Sequence, residues 1–185
     1  MNSSAPNPNP SLRLRLARPD DMPVLSALMD RAIGELLQAF LPPEGVKASF
    51  EIMGLDTQLI ADGTYFVVEE GEAIAGCGGW SRRATLFGGD HSSGRNAALL
   101  DPTTDAARVR AMYTDPAHTR KGVGRLVLNA CEVAARAEGF SRVEMAATMG
   151  GAPLYRACGY HDIEPFEAVT STGYRVPLVR MGKRL

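Results

Sequence analysis

The chain has 185 residues, 45% of them hydrophobic, which is enough for one domain with a sizeable buried core. Twenty lysines and arginines face 21 aspartates and glutamates, a net charge of −1 with no basic stripe, so no nucleic-acid partner is expected. No apolar run is long enough to span a membrane, and Cys77, Cys131 and Cys158 are odd in number and widely spaced, as in a reducing, cytoplasmic compartment.

Residues 1–11 are largely Asn, Ser and Pro without apolar periodicity, a disordered tail ahead of one domain over 12–185. They have neither the basic start nor the apolar run of a signal peptide. Leu12, Leu14 and Leu16 alternate with polar or small residues and predict a first strand. Pro19-Asp20-Asp21 predicts a helix start with an aspartate as N-cap. Met22, Leu25, Leu28, Met29, Ala32, Ile33 and Leu36 then line one helical face. A second helical region falls within 43–60, interrupted near Gly54. Residues 65–70 and 73–80 flank Gly71-Glu72, a hairpin signal. Residues 82–105 form a polar, glycine-rich insertion, and 108–114 read as the next strand, broken by Asp115-Pro116.

Thr119-Arg120-Lys121-Gly122-Val123-Gly124-Arg125 then leads into a helix whose apolar positions are Val123, Leu126, Val127, Ala130, Ala134 and Ala137. Arg125, Asn129, Glu132 and Arg136 occupy its other face, and Gly139 stops it. Glycines opening a helix leave free N–H groups at the positive end of its dipole, an anion site suited to phosphate. The dinucleotide fingerprint requires a third glycine where Val127 stands, and no Gly-Lys-Ser/Thr run of a nucleoside-triphosphate loop occurs. Farther on, 142–148 read as a strand, and Ala152-Pro153-Leu154-Tyr155-Arg156-Ala157-Cys158-Gly159-Tyr160 as a short helix and its exit. Residues 174–181 predict a closing strand, with Pro177 indicating an edge or a bulge.

The glycine loop and the segment around Tyr155, in this order and at this separation, resemble the GNAT (Gcn5-related) N-acetyltransferase superfamily. Its loop signature is R/Q-x-x-G-x-G/A, whose first position falls on Thr119, with Arg120 one residue later. Its second motif, A-x-x-F/L-Y-x-x-x-G-F/Y, places its tyrosine on Tyr155. The resemblance implies a single-domain α/β fold: a mixed, mostly antiparallel sheet with a splayed central parallel strand pair and helices on both faces. It implies that acetyl-CoA is the cosubstrate. Its pyrophosphate would lie on Thr119, Arg120, Lys121, Gly122, Val123, Gly124 and Arg125, and its pantetheine on the backbone of Met112, Tyr113 and Thr114. Tyr155 would protonate the departing thiolate after direct attack by the primary amine of a small molecule or peptide.

Other family outcomes are a catalytically silent acyl-CoA-binding regulatory module, a homodimer, and a toxin-like enzyme acting on charged tRNA, which the balanced charge disfavours. His91, His118 and His161 share no ligand spacing with the cysteines, so no metal is expected. Candidates for the base that accepts the amine proton are Glu35, Asp90, His91 and Glu144. Candidate acceptor walls are Trp80 with Ser81, Arg82 and Arg83, the Phe87-Gly88-Gly89-Asp90 loop, and residues 40–43.

Overall fold

The computed structural model describes residues 11–185, so residues 1–10 of the expected tail lie outside the described residues. Seven strands form one sheet: β1 (Leu12–Leu16), β2 (Tyr65–Glu70), β3 (Ala73–Ser81), β4 (Ala107–Thr114), β5 (Arg142–Thr148), β6 (His161–Val169) and β7 (Arg175–Arg184). Their spatial order is β1-β2-β3-β4-β5-β7-β6, and every neighbouring pair is antiparallel except β4 and β5. The sheet is mixed and mostly antiparallel, as the sequence resemblance implies.

Helices α1 (Met22–Arg31), α2 (Pro43–Ile52) and α3 (Thr57–Ala61) cover one face, where Leu25, Leu28, Met29 and Leu59 pack on Tyr65, Val67, Cys77 and Tyr113. Helices α4 (Val123–Ala137) and α5 (Ala152–Ala157) lie on the other, where Val123, Val127, Leu128 and Cys131 pack on Val109, Val143 and Met145. The alternation of strand side chains thus feeds two cores, and loss of any large apolar residue from either would open a cavity.

Several local readings are sharpened by packing. Helix α1 runs on through a π-helical turn, Ala32–Leu36, and a 3₁₀ turn, Leu37–Ala39. Asp21 does not cap forward: its carboxylate accepts the Arg18 N–H at 2.7 Å and holds Arg15. The 43–60 region divides into α2 and α3 at Gly54, whose φ of +135° suits only glycine. Glu132, expected on the solvent face of α4, is buried and accepts from Lys183 Nζ at 2.7 Å.

Strand β6 is absent from the sequence reading, and the structure supplies the reason. It is the sheet edge, with most side chains exposed and Pro165 in mid-strand, so neither apolar run nor alternation marks it. Pro177 was expected to mark an edge or bulge, but β7 lies inside the sheet. The last β5–β7 pair is Thr148 with Leu178, so at Pro177 the strand has only β6 beside it. There a missing N–H is tolerated.

Candidate active site

The site begins where the parallel pair fails. Strands β4 and β5 are in register only at Ala107 with Val143 and Arg108 with Glu144. Beyond that point they diverge, and the backbone of β4 from Val109 to Thr114 has a ladder neighbour on the β3 side alone. Polar groups facing the gap are then available to a ligand.

A bulge in β4 sets what faces the gap. Cys77 pairs with Tyr113 but Gly79 with Arg110, so Gly78 stands opposite two residues, Ala111 and Met112. Ala111 adopts φ +51°, strained for a residue with a side chain. The phase of β4 therefore slips. Arg110 and Tyr113, three apart, both point to the α2–α3 side, where Arg110 meets Asp56 and the Tyr113 hydroxyl oxygen accepts the Gly54 N–H at 2.9 Å. Val109 and Met112 point to the α4 side. Gly78 carries no side chain that would collide with Met112 Sδ, and Tyr65 Oη donates to the Ala111 carbonyl at 2.7 Å.

After β4, the 3₁₀ turn Pro116–His118 delivers the chain to the glycine loop. Arg120 has φ +64° and Gly122 φ +90°, a left-handed kink that aims the following N–H groups outward at the start of α4. No side chain caps that end. Arg120 and Arg125 are exposed and, among the described residues, form no ion pair, whereas Lys121 Nζ lies 2.7 Å from Glu70. Thr119 turns its hydroxyl back to the Pro116 carbonyl at 3.3 Å. The loop is thus a cationic mouth with free donors, close under α5: a side-chain carbon added to Gly124 would come within 2.6 Å of Leu154.

Tyr155, the next residue of α5, packs on Tyr160 with ring centroids 6.1 Å apart. Only 8% of it is exposed, and among the described residues its hydroxyl has no hydrogen-bond partner. Burial pushes the phenol above its ordinary value, so it keeps its proton at neutral pH. It borders a solvent-open cleft that crosses the sheet at the splay. Val109, Met112, Met145 and Tyr155 line its α4 side, and Ile52, Met53, Phe87, Arg110 and Leu178 its α2 side.

The residues singled out in the sequence fare differently. Met112 and Tyr113 line the cleft, Thr114 closes β4 beside it, and residues 119–125 form the adjoining loop. Glu144 is engaged as an ion-pair hub: its Oε2 accepts from Arg108 at 2.9 Å and from Arg180 at 2.6 Å, which opposes a role as base. Asp90 accepts the Thr57 N–H at 3.0 Å, and His91 Nε2 meets the Phe50 carbonyl at 2.7 Å. Both secure the insertion from outside the cleft, and Glu35 is exposed on the π-helical turn.

Trp80 is no acceptor wall, because it is buried against Phe140 on the α4 side. Arg82 and Arg83 are spoken for by Glu138 and Asp62. Of that group only Phe87 and Gly88 reach the cleft. Phe40 instead covers Gly150, just beyond β5. Ile52, Leu86, Ala146 and Leu178 went unnoticed in the sequence, where each reads as an ordinary core residue.

Comparison with known proteins agrees with this architecture. Residues 30–160 match the acetyltransferase (GNAT) family. The chain is 28% identical over 130 residues to an uncharacterized N-acetyltransferase, YsnE, of Bacillus subtilis (strain 168), covering 68% of this chain and 71% of that protein. A GCN5-related N-acetyltransferase from Rhodopseudomonas palustris superposes with a TM-score of 0.70 at 18% identity, over 96% of this chain and 98% of that one. The protein yncA of Salmonella typhimurium, solved with its cofactor acetyl-CoA, gives 0.61 at 17% identity, over 94% of each chain. With the family match spanning most of the chain, and with a parallel pair splayed beside a glycine-opened helix, this protein belongs to the GNAT acetyltransferase family.

Proposed function

We propose that the protein is an acetyl-CoA-dependent N-acetyltransferase acting on a primary amine. The observation that carries this reading is the junction of three features at one place. A cationic loop with free N–H groups abuts α5 at Gly124 and Leu154, Tyr155 follows on the same helix, and the cleft beside it opens through the sheet. Acetyl-CoA in the Salmonella structure supports the choice of cosubstrate.

In this reading the pyrophosphate lies on residues 119–125, with Arg120 and Arg125 supplying charge and the start of α4 supplying N–H donors. The pantetheine follows the unpaired edge of β4 along Met112, Tyr113 and Thr114. The acetyl group then sits at the splay, and the amine arrives from the α2 side. Its nitrogen lone pair attacks the carbonyl carbon, the C–N bond forms, and the C–S bond breaks. Tyr155 gives its proton to the sulfur, and the proton lost by nitrogen passes to solvent, which restores Tyr155. Positioning and backbone donors toward the developing oxyanion supply most of the acceleration.

Calorimetric titration of acetyl-CoA tests the coenzyme site. Wild type should bind, and Gly124→Glu should abolish binding through steric block and phosphate repulsion. Because that change crowds Leu154, the exposed Arg125→Glu is titrated beside it and should weaken binding about tenfold while leaving the fold intact. Failure of folded wild type to bind acetyl-CoA would end the proposal.

A further inference from the structure

The insertion 82–105 between β3 and β4 has little regular structure, yet it is held at many points. Arg95 Nη2 donates to Asp56 Oδ1 at 2.9 Å, and Arg110 Nη2 lies 2.8 Å from Asp56 Oδ2, with the Asp56 side chain only 1% exposed. The same Arg110 guanidinium donates to the carbonyls of Thr85 and Gly88. Ser92 Oγ donates to the Glu51 carbonyl at 2.8 Å, and Gly89 fits so tightly on residues 54–55 that a side-chain carbon there would come within 2.8 Å of the Leu55 carbonyl. The insertion is therefore a fixed roof over the α2 side of the cleft. Leu86 and Phe87 line the cleft from it, and Phe87 packs 5.8 Å from Phe166 on β6 and close to Ile52 and Leu178.

The cleft itself is poor in charged side chains. Among the described residues, those lining the cleft include no carboxylate and no histidine, and the one charged group is Arg110. Its guanidinium is neutralised by Asp56 and occupied by the roof carbonyls, so it has no spare charge for an acidic acceptor. A second ammonium held inside the cleft would have no counter-charge there, because the carboxylates Asp30 and Asp90 line an adjoining cavity that meets the cleft at Met53 and Gly54. An apolar body would instead remove Ile52, Phe87 and Leu178 from water.

We infer that the roof selects the acceptor, with Phe87 as the specificity-determining residue, and that the acceptor class is a primary amine on a single apolar, arylalkyl-like body. This inference rests on the transferase reading above.

The test compares kcat/KM for 2-phenylethylamine, ethylamine, spermidine and glucosamine, beside acetyl-CoA titration, in wild type and Phe87→Ala. Wild type should prefer 2-phenylethylamine over spermidine and glucosamine by at least about tenfold, the scale at which apolar pockets discriminate. Phe87→Ala should lower kcat/KM for 2-phenylethylamine by about tenfold through KM, while ethylamine, too short to reach the roof, and the acetyl-CoA Kd stay within about twofold. Preference for spermidine or glucosamine, an equal loss for both monoamines, or no transfer to 2-phenylethylamine overturns the inference. If acetyl-CoA still binds, only the inference falls; if wild type binds none, the transferase reading falls with it.

Discussion

Tyr65 Oη donates to the carbonyl of Ala111 at 2.7 Å, tying β2 to the strained residue of the β4 bulge across the intervening β3. The left-handed conformation of Ala111 costs on the order of 1–3 kcal/mol and persists only where its surroundings enforce it. Tyr65 is buried, so its hydroxyl has no competing solvent. The bulge it steadies turns Arg110 and Tyr113 to one side of the cleft and Met112 to the other.

Tyr65→Phe removes that donor and leaves the Ala111 carbonyl without it. The expected loss is about 1–3 kcal/mol of stability, read by denaturant unfolding. Because the bulge shapes the β4 edge on which the pantetheine is proposed to lie, kcat should fall and the acetyl-CoA Kd should rise. An unchanged kcat in the folded variant would show that the bulge is steadied by packing alone.

Tyr155→Phe should leave acetyl-CoA binding nearly intact and lower kcat by about 10²–10⁴, measured with a saturating acceptor and chemistry limiting. Burial raises the Tyr155 phenol above its usual value, which favours the protonated donor over the whole neutral range. The pH–rate profile of wild type should therefore rise as the amine deprotonates and show no alkaline fall below about pH 10. A fall beginning near pH 8 would mean that a different acid serves the sulfur.

Asp62 anchors Arg83, at the start of the insertion, at 2.7 Å, and the guanidinium bonds hold its carboxyl below the ordinary aspartate range. Asp21 is held down in the same way by Arg15. A depressed folded-state value means that the unfolded chain binds protons first. The stabilisation is thus complete above the unfolded value of about 4 and is lost as pH falls through the lower folded values. The Tm should be flat from pH 7 to 5 and drop below about pH 4, and Asp62→Asn should flatten part of that drop. An acid limb unaffected by the substitution would locate the titrating groups elsewhere.

Local chemistry carried much of the candidate site. Glycines at 122 and 124, the cations around them and the apolar spacing of α4 specify a helix start with free donors using adjacent residues alone, so the loop is legible in order along the chain. The same holds for α5, on which Tyr155 follows Leu154. Other features depend on distant partners. Ala111 bulges because Gly78, Tyr65 and Met112 meet there, and nothing in Arg-Ala-Met-Tyr foretells a positive φ. Glu144 resembles a free carboxylate until β7 brings Arg180 beside it.

The sequence by itself determined most of the elements, their apolar patterns and the family they belong to, because short-range periodicity and turn chemistry suffice for these. Only the tertiary structure decided the edge strand β6, whose pairing is its sole marker, and the fate of each charged side chain. It alone brought Ile52, Phe87, Arg110 and Leu178 from four separate segments to one wall. A cleft is a property of how elements fail to touch, and that depends on register and packing across the whole sheet.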